Sequence, residues 1–260
     1  MPRGFNDYDS AAIQGRLWTP GVLRPDAWFD ASDLSTITNT ADGVSAWADK
    51  SGNGRTMSRV STTYRPALRI ENRNGLSAIE FADKTPAGGL DFRCDRMQMS
   101  ASINVRSAYV AMTRSANPIS NGSNFIFTAD GEFGGGGDSY DWHGSNTDDV
   151  FADATFSSAN WRNGSNFRDG ASITITSAGS GPINTWACYS FLCSGNMETQ
   201  GIGWDRLYHG SFGIYGEVFW FSTAHSTRER RLIEGYLSWK WGIRLAADHP
   251  FANRPPLIGD

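Results

Sequence analysis

The chain has 260 residues, a formal net charge of −4, 13% aromatic residues and 29 glycines. This length can bury a sizeable core, and the aromatic content argues against disorder. Because the net charge is negative and the basic residues are dispersed, the composition argues against a nucleic-acid or anionic-membrane partner. No apolar run in the sequence approaches the length of about 18 residues that a membrane span needs. The sequence also has no secretory signal pattern. Three cysteines without disulfide or zinc spacing fit assembly in a reducing cytoplasm.

The N-terminal part divides into an arm and the start of a single domain. Residues 1–16 are polar and are interpreted as an arm, and residues 17–260 as one domain. The Asp-Lys-Ser-Gly-Asn-Gly run at residues 49–54 predicts a tight loop, because Asp and Asn bond nearby amides and glycine accepts positive φ. Asp49 is also a weak candidate for a calcium ligand, although a single carboxylate falls short of the several oxygens that calcium needs.

Apolar and aromatic runs predict strands through most of the domain. They lie at residues 78–81, 107–113, 125–127, 172–176, 186–193 and 216–221. The motif Asn-Gly-Ser-Asn-Phe occurs at residues 121–125 and again at 163–167, and its Asn-Gly pair predicts a hairpin turn in both places. Between the two copies, four successive glycines at residues 134–137 predict a long surface loop.

One helix is predicted near the end of the chain. Ser226 and Glu229 have the spacing of a capping box, and Gly242 suits a left-handed C-cap. At helical periodicity, one face carries an apolar stripe and the opposite face is expected to be polar. The stripe comprises Leu232, Ile233, Tyr236 and Leu237, and the polar face comprises Arg231, Glu234 and Ser238.

Two groups of motifs resemble the concanavalin A-like, or laminin G-like, domains of tailed-phage virion proteins. The first group lies at residues 28–33, 44–54, 65–68 and 78–81, and the second at residues 213–222, 229–242 and 249–256. The resemblance covers residues 17–256, with only generic β sequence in the middle third. It implies an all-β fold, a two-sheet antiparallel jelly-roll sandwich with one C-terminal helix. It also implies a lectin-like or structural role more often than an enzymatic one, and function must be argued from the site itself.

Catalytic motifs are weak in this sequence. Glycoside hydrolases of this fold carry carboxylates that alternate along one strand, whereas Glu217 stands alone in an apolar run. The histidines lack metal-ligand spacing, and the four glycines lack the Gly-Lys-Ser/Thr of a phosphate loop. We therefore expect no enzymatic activity and no cofactor, with calcium as the one metal to consider.

Carbohydrate recognition is the remaining chemistry that the residues suggest. Sugar rings stack on aromatic faces beside amide and carboxylate groups. The candidate glycan-binding residues are Tyr140, Trp142, His143, Trp161 and Asn163. In the alternative interpretation, Trp142 and Trp161 fill gaps at the rim of the domain, because aromatic residues are more often packed than displayed.

These expectations combine into a leading hypothesis and two alternatives. The leading one is a non-enzymatic virion protein, assembled in the host cytoplasm and placed on the capsid or tail as a decoration protein, head fibre or adhesin. It would be multicopy or homo-oligomeric, would contact other virion proteins, and would bind host-surface glycans with avidity from repeated copies. The alternatives are a carbohydrate-active enzyme that degrades host polysaccharide and an architectural cement protein without a ligand.

Overall fold

The computed structural model describes residues 16–59, 61–82, 94–116, 126–127, 142, 144–145, 149–155, 157–205 and 209–260. The protein is mostly β, with one large antiparallel sheet and two α-helices in this part of the chain. The strands are β1 (Ala27–Asp30), β2 (Ile37–Thr40), β3 (Gly43–Trp47), β4 (Met57–Ser58), β5 (Ala67–Arg73), β6 (Leu76–Phe81), β7 (Met97–Arg114), β8 (Ser165–Arg168), β9 (Ala171–Ile173), β10 (Trp186–Ile202), β11 (Trp204–Asp205), β12 (His209–Gly210) and β13 (Gly213–Phe221). The α-helices are α1 (Ala159–Arg162) and α2 (Thr227–Trp241), and 3-10 turns occur at Pro20–Leu23, Leu34–Thr36 and Thr62–Tyr64.

The long strand β7 organises the sheet. Along one edge it pairs with β10, which continues to β8 and β9. Along the other edge its first half meets β4, followed by β3 and β2, whereas its second half pairs with β13. β13 in turn pairs with β1 and β6, and β6 with β5. The sheet therefore divides into two branches on one side of β7.

Alternate side chains of the central strands contribute to two separate hydrophobic cores. Ala108, Val110 and Met112 of β7 belong to the larger core, on one face of the sheet. Tyr109 and Ala111 belong to the second core, which also contains Leu232, Ile233, Leu237 and Trp241 of α2. Since successive side chains of a strand point to opposite faces, the sheet is covered on both sides, and this explains why its strands read as nearly continuous apolar runs.

Helix α2 begins and ends where the sequence predicts. The Ser226 side chain accepts from the Glu229 amide, the Glu229 carboxylate accepts from the Ser226 amide, and Gly242 adopts the left-handed conformation with φ of 61°. Leu232, Ile233 and Leu237 are buried against the sheet. The capping box, the C-cap and the apolar stripe are therefore confirmed.

Only part of the face of α2 that was expected to be polar is exposed to solvent. Arg231 is exposed, but Glu234 is fully buried and Ser238 is 5% exposed. The reason is the chain that follows the helix, which folds back over this face. Phe251 packs where a Cβ on Gly235 would lie, and its carbonyl accepts from Trp239 Nε1 at 2.9 Å. The prediction that Glu234 and Ser238 face solvent was therefore wrong.

The two predicted hairpin turns have different outcomes. Residues 121–125 lie outside the described residues. Asn163 and Gly164 do not connect two strands, because Asn163 is the C-cap of α1, a single helical turn that starts after the Ser158 cap. The hairpin prediction at Asn163–Gly164 was therefore wrong, and the motif there ends a helix before β8 begins.

Candidate functional site

A groove of about 790 Å³ opens at the C-terminal end of helix α2. It combines parts of the β5–β6 hairpin, the β8–β9 turn, the start of β10, the end of the helix and the returning tail. Its lining residues are Arg73, Asp169, Thr185, Trp186, Ser238, Trp239, Gly242, Ile243, Arg244, Ala252 and Asn253.

One wall of the groove is fixed by the β5–β6 hairpin. Asn74 and Gly75 at its turn have φ of 52° and 72°, as a tight two-residue turn with positive φ requires. The hairpin holds the helix end, since Arg73 donates to the carbonyls of Trp241 and Gly242 at 3.0 and 2.6 Å and Asn74 donates to the Lys240 carbonyl at 2.9 Å. These side chains satisfy carbonyls that the last turn of a helix leaves without partners.

The aromatic part of the groove is Trp186 at the start of β10. Its half-buried ring stacks on the fully buried ring of Trp241, with centroids 5.6 Å apart and planes 6° from parallel. A stack of this kind holds the outer ring in one orientation. Trp186 is thus a partly exposed aromatic surface on a rigid support.

The acidic part of the groove is Asp169, in the turn between β8 and β9. Its backbone has φ of 54°, and its carboxylate accepts a hydrogen bond from the Cys188 amide at 2.8 Å. Burial raises the pKa of Asp169 from 3.8 to about 6, against the opposing effects of the Cys188 amide and Arg168. Arg244, Thr185 and Asn253 are exposed around it and add guanidinium, hydroxyl and amide groups.

We expect Asp169→Asn to remove a pH dependence of stability. Because the folded-state pKa is raised, the native protein binds this proton more tightly than the unfolded chain does, and the contribution of Asp169 to stability falls as pH rises from about 4 to about 6. Asparagine tolerates positive φ and can still accept from the Cys188 amide. Denaturant unfolding across this pH range should show the decline in the wild type relative to the variant, and parallel curves for the two proteins would contradict it.

Among the residues predicted for glycan binding, the structure describes Trp142, Trp161 and Asn163. Trp142 and Trp161 are fully buried in the larger core, with their rings 5.3 Å apart. Trp142 Nε1 donates to the Glu198 carbonyl at 2.8 Å. Neither ring has a free face for a sugar, so the packed interpretation of these tryptophans is correct. Asn163 is exposed at the end of α1, and Tyr140 and His143 lie outside the described residues.

Asp49 organises its own loop. Its carboxylate oxygens accept from the amides of Trp28, Ser51 and Arg55 at 2.9, 2.8 and 3.2 Å, and from the Ser51 hydroxyl at 2.6 Å. Asp49 therefore has the role expected of it in the tight loop, in which its oxygens accept hydrogen bonds from nearby amides. Elsewhere in the described part of the chain, no group of three or more His, Cys, Asp or Glu side chains is arranged to hold a metal.

Glu217 and Glu234 are fully buried carboxylates that do not line the groove. Glu217 accepts from Trp28 Nε1, Trp241 Nε1 and the Tyr236 hydroxyl at 2.7, 3.0 and 3.1 Å. Glu234 accepts from Arg230, Ser190 and His249. Among the lining residues only Asp169 is acidic, whereas glycoside hydrolysis typically uses two carboxyl groups roughly 5–10 Å apart. The groove therefore has side chains that can bind a polar ligand, but its lining lacks the two carboxyl groups that glycoside hydrolysis uses.

Sequence reasoning missed Trp186 as a candidate site residue, because its apolar run predicts only a core strand. The signal that could have identified it is its place at the first position of the strand, directly after the turn at residues 181–185.

None of the helices in the described residues is long and apolar enough to span a membrane. A scan against family models and searches of curated proteins and of solved structures find no match to this chain.

Proposed function

We propose that the protein is a non-enzymatic recognition module that binds glycans in the groove at the end of helix α2. One observation carries this proposal: Trp186, a partly exposed ring held on Trp241, lies in the same groove as Asp169, Arg244, Asn253 and Thr185. Aromatic faces contact the apolar side of a sugar ring, and carboxylate, guanidinium and amide groups bond its hydroxyls. Binding sites of this kind combine apolar surface with a few convergent polar groups.

The proposed setting is the virion of a tailed phage, and it rests on the sequence resemblance. We propose that the branched sheet with its two cores is a concanavalin A-like jelly roll, in which β7 and β10 run through both layers. Multiple copies on a capsid or tail would convert weak binding at an open groove into stable attachment to a host surface. The arm at residues 1–16 would connect the domain to other virion proteins.

Glycan-array binding by the purified protein tests the proposal. We expect Trp186→Ala and Arg244→Ala to lose at least tenfold in affinity, and Trp186→Phe to retain most of it because the ring still stacks. Arg231→Ala is the matched control, since Arg231 is an exposed arginine on α2 away from the groove lining. Circular dichroism and thermal unfolding establish that each variant is folded.

The other outcomes separate the alternatives. Glycan binding that survives both groove substitutions would move the site elsewhere and overturn this assignment. Failure to bind any array or host envelope would overturn the adhesin function and favour an architectural protein. Release of reducing sugar from host polysaccharide would instead favour the carbohydrate-active enzyme.

A further inference from the structure

A second cluster of polar groups lies between the first strand, the last strand and helix α2, apart from the groove. Asp30 of β1 and Glu217 of β13 are directly opposite each other in the antiparallel register. Their side chains thus share one face of the sheet. Lys240 of α2 reaches both, with Nζ 2.8 Å from Asp30 Oδ2 and 2.8 Å from Glu217 Oε2.

The three side chains are shielded from water. Lys240, Asp30 and Glu217 are 12%, 4% and 0% exposed. The indole rings of Trp28 and Trp241 and the phenol of Tyr236 surround Glu217 through hydrogen bonds. An amine and a carboxyl group held in contact without water can condense to an amide that surrounding water would not readily hydrolyse.

We propose that Lys240 and Asp30 form an intramolecular isopeptide bond, with Glu217 as the catalytic proton carrier. The Nζ ammonium first gives one proton to Glu217, and its freed lone pair attacks Cγ of Asp30, the atom bonded to the oxygen that Nζ already contacts. The N–C bond forms first, with negative charge developing on Oδ1, and the Cγ–Oδ2 bond then breaks. Two protons leave Nζ and depart with Oδ2 as water, so an ammonium and a carboxylate become one amide and one water. The reaction needs no oxidant or other reactant.

The neighbouring groups suit each step. Asp30 Oδ1 accepts from the Ser32 amide at 3.1 Å and the Ser32 hydroxyl at 2.6 Å, so negative charge that develops on this oxygen is stabilised. Lys50 Nζ also lies 2.8 Å from Oδ2, where it contributes only a positive charge that an arginine would keep. Glu217 Oε2 contacts the attacking nitrogen and takes its proton, which it returns to the departing oxygen.

The charge state of the cluster fits this order of events. Burial opposes ionisation of Asp30, but the two lysines outweigh it and lower its pKa, so the reaction starts from the ion pair. Burial and the nearby Asp30 charge raise the pKa of Glu217. A carboxylate with a raised pKa is a stronger base than an ordinary one and can accept the Nζ proton.

Lys240, and not Lys50, is the reacting lysine. Lys50 is 24% exposed, shares its charge with Asp33 at 2.8 Å and makes no contact with Glu217 among those resolved by the structure. Lys240 contacts both the carboxyl group and the proton carrier. The resulting bond would join β1 to α2 and close most of the chain into a covalent loop, which restricts the unfolded state.

Intact-mass spectrometry of the purified full-length chain tests the inference. We expect the wild type to be lighter than its sequence by one water, and tryptic mapping to find a branched peptide that joins residues 30 and 240. Lys240→Arg and Glu217→Gln should have the full sequence mass, whereas Lys50→Arg, the matched control, should still lack one water.

Each other result counts against the inference. A wild-type mass equal to the sequence mass overturns it whether or not any variant folds. A branched peptide through Lys50 overturns the choice of lysine, and a cross-linked Glu217→Gln overturns the role of Glu217. Because glycan binding is measured separately at the groove, failure here leaves the proposed function untouched.

Discussion

Glu234→Ala is expected to lower the free energy of unfolding by about 3–5 kcal/mol, because it leaves a buried arginine without its carboxylate. Arg230 Nη1 donates to both oxygens of Glu234, at 2.7 and 2.6 Å, and Arg230 is 5% exposed. The same carboxylate accepts from the Ser190 hydroxyl at 2.8 Å and lies 3.1 Å from His249 Nε2. In the variant, the guanidinium would retain only its stack over the Phe167 ring, 3.7 Å from the centroid, among the side-chain contacts resolved by the structure.

The effect comes from the orphaned charge, and a double substitution can show this. Arg230→Met with Glu234→Leu removes both charges and fills the space with apolar groups. Such replacements of buried ion pairs are often neutral or stabilising, so the double variant should be markedly more stable than Glu234→Ala alone. Arg231→Ala, at an exposed position of the same helix, should change stability by less than about 0.5 kcal/mol.

Denaturant unfolding with fluorescence detection measures all three variants. A loss below about 1 kcal/mol in Glu234→Ala would mean that Arg230 finds another partner or reaches water when its carboxylate is removed. Equal losses in the single and double variants would mean that the site depends on hydrogen bonds to Ser190 and His249 and not on the balance of charge. Either result would contradict the ion-pair explanation.

The ends of helix α2 were predictable because their determinants are local. Ser226, Glu229 and Gly242 act on backbone groups within a few residues of themselves. The burial of Glu234 was not predictable in the same way, because it depends on His249 and Phe251 returning over the helix. A helical pattern shows which face is apolar, but it does not show that a second segment will cover a polar face as well.

The candidate site shows the same limit more strongly. Composition and spacing suggested that aromatic residues bind a sugar, but they could not distinguish a displayed ring from a packed one. Trp142 and Trp161 are packed, while Trp186, in an apolar run, is partly exposed. The groove depends on the meeting of a hairpin, a turn, a strand, a helix end and the tail, and no local pattern encodes that meeting.

Trp241→Ala is expected to lower the free energy of unfolding by about 3–5 kcal/mol and to abolish the proposed glycan binding, although Trp241 is not among the groove lining residues. Its fully buried ring supports Trp186, and its Nε1 donates to Glu217 at 3.0 Å. Removing it opens a cavity beneath the helix and leaves Trp186 without the ring on which it stacks.

A double-mutant cycle between Gly216 and Trp241 measures how strongly the packing of one residue depends on the other. A Cβ at Gly216 would lie 2.8 Å from three ring atoms of Trp241, so Gly216→Ala alone should cost about 1–3 kcal/mol through overpacking. In the Trp241→Ala background the obstructing ring is absent, and the added methyl group should cost much less. Denaturant unfolding of the four proteins measures the coupling, and additive losses would show that the two residues do not press on each other. A coupling of about 1 kcal/mol or more would show that the close approach of Gly216 leaves room for the Trp241 ring that supports Trp186.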